Sequence, residues 1–344
     1  MSSRSRRRCV ALLVLLVVPL LAWRTAGHER AAVAADLPSA QPLGAADDAL
    51  IVEPDAGLTP VYRWLSSARR SLDLTMYELA DPTAESLLAD DAARGVRVRV
   101  VLDSRLERAR NQSAYDFLRA RGVAVAWSSS RYFATHEKAF VIDDATAVVM
   151  SLNLTDRYYA TSRDVAVVDH DRRDVAAVES VFDADFRGRS IGTPAADDLV
   201  WSPGQSQADL LALINGARHS IAVESEEMSS GSVVRALVDA ARRGVAVTVA
   251  MTYSPDWATE LDAIAAAGGV VSVMHGESPL YIHAKLLAID TGWPDARGFV
   301  GSENLSNASL LHDRELGVVL VAPRLVDQVA AVVARDVSDG QRWR

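Results

Sequence analysis

"THEKAFVID" (residues 135–143) returns 147 residues later as "IHAKLLAID" (282–290). The two stretches hold Lys138 and Lys285, and the 344 residues contain no third lysine: the other 34 of the 36 Lys-plus-Arg positions are arginine. In each stretch the lysine follows a histidine by two positions. Elsewhere the chain uses arginine for every basic side chain. Two lysines kept at matching places mark sites where a compact ammonium on a flexible stem does what a planar guanidinium does not.

The match extends outward from these stretches. "ARRSLDLTMYEL" (68–79) aligns with "ARHSIAVESEEM" (217–228) at an offset of 149, and "DAARGVRVRVV" (91–101) with "DAARRGVAVTVA" (239–250) after one residue of slippage, so that Gly95 meets Gly244. Downstream, "SLNLT" (151–155) falls on "SENLS" (302–306), and "SRDVAVV" (162–168) on "DRELGVV" (313–319), both at 151. The largest insertion is "TGWPDARG" (291–298). The chain is a tandem duplication.

Within each copy, "SLDLTMY" and "VRVRVVL" predict strands, and "TAESLLADDAARG" predicts a helix stopped by glycine. "KAFVID" and "AVVMSLN" predict two short strands joined by a tight turn at "DDAT". "DRRDVAAVESVFDADF" and "APRLVDQVAAVVARD" predict amphipathic helices that close each copy. The alternation predicts an α/β fold built from two α-β-α sandwich units, each sheet covered by helices on both faces. The boundary is expected in the Gly-, Pro- and Ser-rich "GRSIGTPAADDLVWSPGQSQ" (188–207), giving repeats over 36–193 and 194–344. Duplicated units pack about a pseudo-two-fold axis, so matching loops face each other across one cleft.

The N-terminus differs from the rest. "RSRRR" precedes the apolar "CVALLVLLVVPLLAW" (9–23) and an alanine-rich stretch, the pattern of an export signal. The run is short for a bilayer span of roughly 20 residues. Residues 24–34, however, are long and charged for a cleavage region, so residues 1–35 are expected to be either a cleaved signal or an N-terminal membrane anchor. The remainder is expected to be secreted or held on the outer face of the cytoplasmic membrane. Removing residues 1–35 takes away six arginines and one glutamate, so the formal charge of −9 becomes −14. Such a surface repels polyanions and disfavours nucleic acid as a partner. The single cysteine, Cys9, lies inside the export segment, and the exported part must rely on its core rather than on disulfides.

His136-x-Lys138-x4-Asp143 and His283-x-Lys285-x4-Asp290 are two complete HxKxxxxD motifs, followed by Ser151-x-Asn153 and Ser302-x-Asn304. The chain thereby resembles the phospholipase D superfamily, whose members carry two such motifs, and the likeness covers nearly all of the exported part. One position departs from the family's G-S-x-N: Met150 stands where the second copy has Gly301. The resemblance implies a phospholipase D-like fold with the site between its halves. It also implies a phosphohistidine intermediate, with His136 as nucleophile and His283 as acid, although the symmetry of the sequence leaves that order open. An acidic residue in the region of Asp164 and Glu315, each thirteen positions after the motif serine, orients the histidine ring in related enzymes.

The residues support this chemistry on their own terms. Alternating side chains put each histidine and its lysine on one strand face. Two such pairs converging on one anion suit a phosphodiester. One neutral imidazole attacks phosphorus, and the other protonates the leaving oxygen and then deprotonates water or an alcohol. Lys138, Lys285, Asn153 and Asn304 are expected to hold the nonbridging oxygens, with Ser151 and Ser302 in the same phosphate-binding loops. Asp143 and Asp290 are expected to be structural, at strand ends.

Other residues weigh less. His28, His170, His219, His275 and His312 have no duplicated partner and read as surface or capping residues. Glu78 and Glu227 fall at equivalent positions after the first strand, lining the site or facing solvent. "RYF" (131–133) and "PLY" (279–281) precede the motifs as entrance residues or as packing. No metal-ligand pattern is present, and no metal or cofactor is expected. The reading is an exported, metal-independent phosphodiesterase of phospholipase D type. It acts on a phospholipid or other phosphodiester at a membrane surface, with one chain supplying a complete site. An exported nuclease of the same superfamily and a non-catalytic phosphate-binding envelope protein are the alternatives.

Overall fold

In the computed structural model, residues 49–192, 194, 198–275 and 280–344 are described; the expected export segment lies outside them. The duplication is plain at the helix ends. Helix Pro82–Ala93 begins at Asp81, whose carboxylate accepts the amides of Thr83 and Ala84 at 2.8 and 3.2 Å. Its counterpart is helix Gly231–Arg242. After each helix comes a glycine at φ +91°, Gly95 and Gly244, a left-handed turn that a β-carbon would strain. The chain then enters the sheet as Arg97–Leu102 in the first copy and Ala246–Thr252 in the second.

Each copy has one mixed sheet with the same strand order. The first runs Ala49–Glu53, Ser162–Asp169, Thr146–Met150, Ala139–Ile142, Ser71–Met76, Arg97–Leu102, Ala124–Trp127. The second runs Leu199–Ser202, Glu315–Leu320, Arg297–Gly301, Leu286–Ile289, Ser220–Glu224, Ala246–Thr252, Val270–Met274, with Gln341–Arg342 added at its edge. Within each, the last three strands of the shared order are parallel and the others antiparallel. Strand Leu199–Ser202 lies inside the segment expected to hold the boundary between the repeats. It is the equivalent of Ala49–Glu53, and a four-residue edge strand flanked by Gly, Pro and Ser carries almost no periodic signal.

The central strands do not alternate between buried and exposed. Ser71–Met76 and Ser162–Asp169 are buried at every position because both faces of the sheet are covered. Outer helices cover one face, making a core from residues such as Leu72, Leu74, Val100 and Leu118 in the first copy and Ile221, Val223, Val249 and Leu261 in the second. On the inner face the expected helices are joined by the other copy's sheet. Val149, Val165 and Val167 of one sheet share a single apolar cluster with Leu286, Val300 and Leu316 of the other, together with helices Arg172–Phe186 and Pro323–Asp339. The copies therefore meet through a common core, not through a solvated groove.

Reciprocal contacts fix the register of that meeting. Tyr281–Ile282 adds in parallel to strand Ser162–Asp169 of the first copy, and the His283 amide donates to the Arg163 carbonyl at 3.1 Å. Conversely, Thr135 bridges Arg314, whose carbonyl accepts the His136 amide at 2.9 Å. The arginine side chains cross as well. Arg163 binds Asp336 at 2.6 and 3.0 Å, and Arg314 binds Asp185 at 2.8 and 3.2 Å. All four side chains are buried, where a paired fork on a carboxylate is costly to break.

Candidate active site

The motif strands begin where the two copies touch, so both histidines open onto one cavity of about 510 Å³. Its lining includes His136, Asn153 and Asp164 from the first copy and Glu226, His283 and Asn304 from the second. Each imidazole is oriented by a carboxylate of the opposite copy. His136 Nδ1 lies 2.8 Å from Glu315 Oε2, and His283 Nδ1 lies 2.7 Å from Asp164 Oδ1. A ring that donates Nδ1–H to a carboxylate presents the Nε2 lone pair to the cavity, the tautomer here being assigned from the partner. Burial, with Lys138 and Lys285 nearby, holds His136 well below the ordinary histidine range, which keeps it neutral at neutral pH.

The carboxylates are themselves fixed. The Ser151 hydroxyl donates to Asp164 Oδ1 at 2.6 Å and accepts the Val165 amide at 2.9 Å. The Ser309 hydroxyl donates to Glu315 Oε1, and Ser302 Oγ accepts the Leu316 amide at 3.2 Å. Burial pushes Glu315 up to about 7 against the pull of Lys138 and of the Ser309 and Ser302 hydroxyls. Ser151 and Ser302 are fully buried and do not line the cavity. Their hydroxyls are used on the Asp164 carboxylate and on the backbone behind the histidines.

Both lysines are inaccessible to solvent, their stems packed in the sheet. Lys138 Nζ donates to the His136 carbonyl at 2.6 Å, and Lys285 Nζ to the His283 carbonyl at 2.5 Å. Burial and the neighbouring Lys285 bring Lys138 down to about 7, and an anion seated beside it would raise it again. Met150 and Gly301 sit differently yet hold their loops alike: the Met150 amide donates to Lys138 O and the Gly301 amide to Lys285 O. A β-carbon on Gly301 would lie 2.3 Å from Glu303 Oε2 and 2.7 Å from Gly317 Cα, so the second copy has no room for a side chain where the first has Met150.

Asp143 and Asp290 lie away from the chemistry. The Asp290 carboxylate accepts the successive amides of Arg218, His219 and Ser220, and Asp143 those of Arg69, Arg70 and Ser71. Both have positive φ, 53° and 50°, as a left-handed strand end requires. Among the histidines without a counterpart, His219 stacks on Trp293 and His275 on Tyr253, and His170 accepts from or donates to Thr146; His28 lies outside the described residues. Phe133 is exposed and "RYF" does not line the cavity, whereas Tyr281 of "PLY" does.

A family model described as "Cardiolipin synthase, PLD-like domain" matches residues 61–186 and again residues 210–337. The chain belongs to the phospholipase D superfamily. Two phospholipase D-like repeats account for the two sheets and the shared cleft. The mitochondrial cardiolipin hydrolase of Xenopus tropicalis is 31% identical over 129 residues, 38% of this chain and 60% of that protein. The human protein of the same name is 29% identical over 137 residues, 40% of this chain and 51% of that one. This chain thus spans only half to three-fifths of those relatives. Among solved structures, phosphatidylserine synthase from Haemophilus influenzae Rd KW20 superposes with a TM-score of 0.63 at 12% identity, covering 86% of this chain and 87% of that one. Polyphosphate kinase from Porphyromonas gingivalis gives 0.65 at 16% identity, over 85% of this chain and 50% of that one. These likenesses establish the phospholipase D-like fold.

Several cavity residues escaped the reading of the sequence: Tyr77, Glu107, Arg110, Tyr158, Tyr159 and Glu226. Glu226 had a visible signal. In the aligned repeats it stands opposite Tyr77, a charged residue facing an aromatic one where most of the motif agrees. Of the two readings for Glu78 and Glu227, lining the site is the one observed: both line the cavity, with Glu78 buried and paired with Arg157 at 2.8 Å.

Proposed function

We propose that the chain is an exported phosphodiesterase of phospholipase D type that hydrolyses or transfers phospholipid head groups through a phosphohistidine. Membership of the superfamily places it among enzymes of phosphodiester chemistry. One observation carries the finer reading: two imidazoles, each oriented by the other copy's carboxylate, open on the same cavity with a buried lysine behind each. A binding protein has no use for a paired nucleophile and acid. His136 Nε2 attacks phosphorus while the bond to the leaving oxygen breaks, and His283 gives that oxygen its proton. His283 then takes a proton from water or an alcohol, which attacks phosphorus as the bond to His136 breaks. Lys138, Lys285, Asn153 and Asn304 stabilise the charge on the nonbridging oxygens.

The assignment of roles is favoured by an asymmetry. His283 has a carboxylate beside each nitrogen, Asp164 at 2.7 Å from Nδ1 and Glu226 at 3.5 Å from Nε2, a setting that suits a proton donor. His136 instead has the Tyr77 ring beside it in a T-shaped arrangement, the ring centroids 4.5 Å apart. Phospholipid is preferred over nucleic acid because Glu78, Glu107, Glu226 and Glu227 surround the cavity, a poor channel for a polyanion. Export, proposed from residues 1–35, would bring the site beside membrane lipid; among the described residues no helix is long and apolar enough to cross a bilayer. Parallel assays of phosphatidylcholine, cardiolipin and DNA, with and without chelator, test the reading. Lipid turnover that survives chelation, with a 32P-labelled wild-type intermediate absent from His136→Ala, is the expected result. DNA cleavage without lipid turnover would select the nuclease alternative.

A further inference from the structure

Three groups of the second repeat point at one oxygen. Glu226 Oε2 lies 3.1 Å from Lys285 Nζ, 3.4 Å from Asn304 Nδ2 and 3.5 Å from His283 Nε2. Its other oxygen, Oε1, accepts a hydrogen bond from Tyr281 Oη at 2.8 Å. Lysine, asparagine amide and imidazole are the donors that the mechanism assigns to the phosphoryl group. A carboxylate already stands where an oxyanion binds. Burial opposes its charge, but Lys285, His283, Tyr281 and His136 together outweigh burial and hold the carboxyl well below its usual range.

The first repeat has no such group. Its equivalent residue is Tyr77, whose ring lies edge-on to His136 and 5.0 Å from Lys138 Nζ. A duplicated fold thus presents two oxyanion seats, one faced by an uncharged ring and one held by a side-chain anion. No local packing requires this. Glu226 is partly exposed, and Tyr281, which fixes its rotamer, is exposed at the mouth of the cavity.

We propose that Glu226 is a specificity-determining residue: it holds the second oxyanion seat as a resident carboxylate and sets the site for phosphate groups bearing one negative charge, against those bearing two. The proposal rests on the phosphodiesterase reading. A diester brings one charge shared by two nonbridging oxygens. One oxygen settles against Lys138 and Asn153, and the second needs only to displace a flexible side chain from Lys285. A terminal or free phosphate brings a further charge to the same crowded cations and meets the glutamate's repulsion in full. The resident carboxylate also speeds release of any dianionic product.

The test is titration of the whole protein and of Glu226→Gln with inorganic phosphate by calorimetry, alongside phosphate inhibition of bis(p-nitrophenyl) phosphate turnover. Glu226→Gln is expected to bind phosphate at least about tenfold more tightly and to be inhibited at correspondingly lower concentration, since a like charge has left the seat. Tyr281→Phe, which frees the carboxylate, moves in the same direction by a smaller factor and decides the matter should Glu226→Gln not fold. Glu227→Gln, a neighbouring cavity carboxylate, shifts the affinity less than about threefold. Equal or weaker phosphate binding in a folded Glu226→Gln, or an equal gain in Glu227→Gln, overturns the proposal. Tighter phosphate binding by Glu226→Gln, with no diester turnover in any of the proteins, keeps the seat and removes the phosphodiesterase reading instead.

Discussion

Asp164 in the first repeat orients His283 in the second: Oδ1 and Nδ1 are 2.7 Å apart across a sequence separation of 119 residues. Glu315 does the same for His136 in the opposite direction. Each half therefore carries one imidazole and the carboxylate that orients the other, and under the proposed mechanism the two carboxylates should fail in different steps.

Asp164→Asn and Glu315→Gln are each expected to lower kcat on a phospholipid by about 10²–10⁴-fold, the usual worth of a positioned acid or base. A p-nitrophenyl diester separates them, because its leaving group departs without a proton. Rapid-quench measurement of phosphoenzyme formation should find that step nearly intact in Asp164→Asn and slow in Glu315→Gln. Equal loss in both variants would contradict the assignment of nucleophile and acid.

Lys138→Arg and Lys285→Arg test the opening peculiarity of the sequence. Both ammonium groups lie in fully buried space shaped to a single narrow stem and bond the histidine carbonyl two residues back. A guanidinium keeps the charge and loses the fit, so turnover should fall by at least about 10²-fold. Circular dichroism melts should show both variants folded. Activity near that of the parent in either one would remove the argument from lysine retention.

Asp290→Ala removes three backbone amide bonds at once, and the carboxylate that accepts them is buried. Burial works against its charge, but the amides of Ser220, His219 and Arg218 prevail and lower its pKa. The substitution should cost about 2–4 kcal/mol in urea unfolding. Under native conditions kcat/KM should change little, because the side chain touches no group of the cavity. A large kinetic loss with unchanged stability would give Asp290 a chemical role.

Stability should fall as the solution is made alkaline through neutrality. Burial raises Glu53, Asp174, Asp313 and Glu315 to about 7, Glu137 to about 8 and Asp91 to about 6, from ordinary values near 4. Groups whose folded pKa exceeds the unfolded one hold extra protons in the native state. Their contribution is complete below about pH 4 and is lost as pH rises through 6 to 8. Lys138, lowered to about 7, acts oppositely only above pH 7, where the unfolded chain binds the extra proton. Calorimetry from pH 5 to pH 8 should find a falling Tm; a rising one would show that these carboxylates are ionised in the fold.

Much of this was readable because duplication writes the motif residues twice. His136 with His283, and Lys138 with Lys285, announce themselves by register, and Gly95 with Gly244 mark the same turn. What register cannot convey is partnership. Nothing local says that Glu315 serves His136 instead of His283, since the pairing arises only when two sheets share a core. Ser151 and Asn153 stand two positions apart in one loop, and the sequence does not say that the Ser151 hydroxyl turns to Asp164 while Asn153 lines the cavity. Ser309, which fixes Glu315, has no counterpart in the first copy to draw attention to it. Strand Leu199–Ser202 is defined by pairing with Glu315–Leu320, not by composition.

The strand Tyr281–Ile282 belongs by sequence to one copy and by hydrogen bonding to the sheet of the other. A slight parting of the halves would therefore strip His283 of its amide partner and its carboxylate together, and His136 likewise through Arg314 and Glu315. On that path both imidazoles lose their supports at the same time. Heat inactivation and loss of ellipticity should consequently trace one sigmoidal curve, with catalysis serving as a probe of whether the whole molecule is assembled.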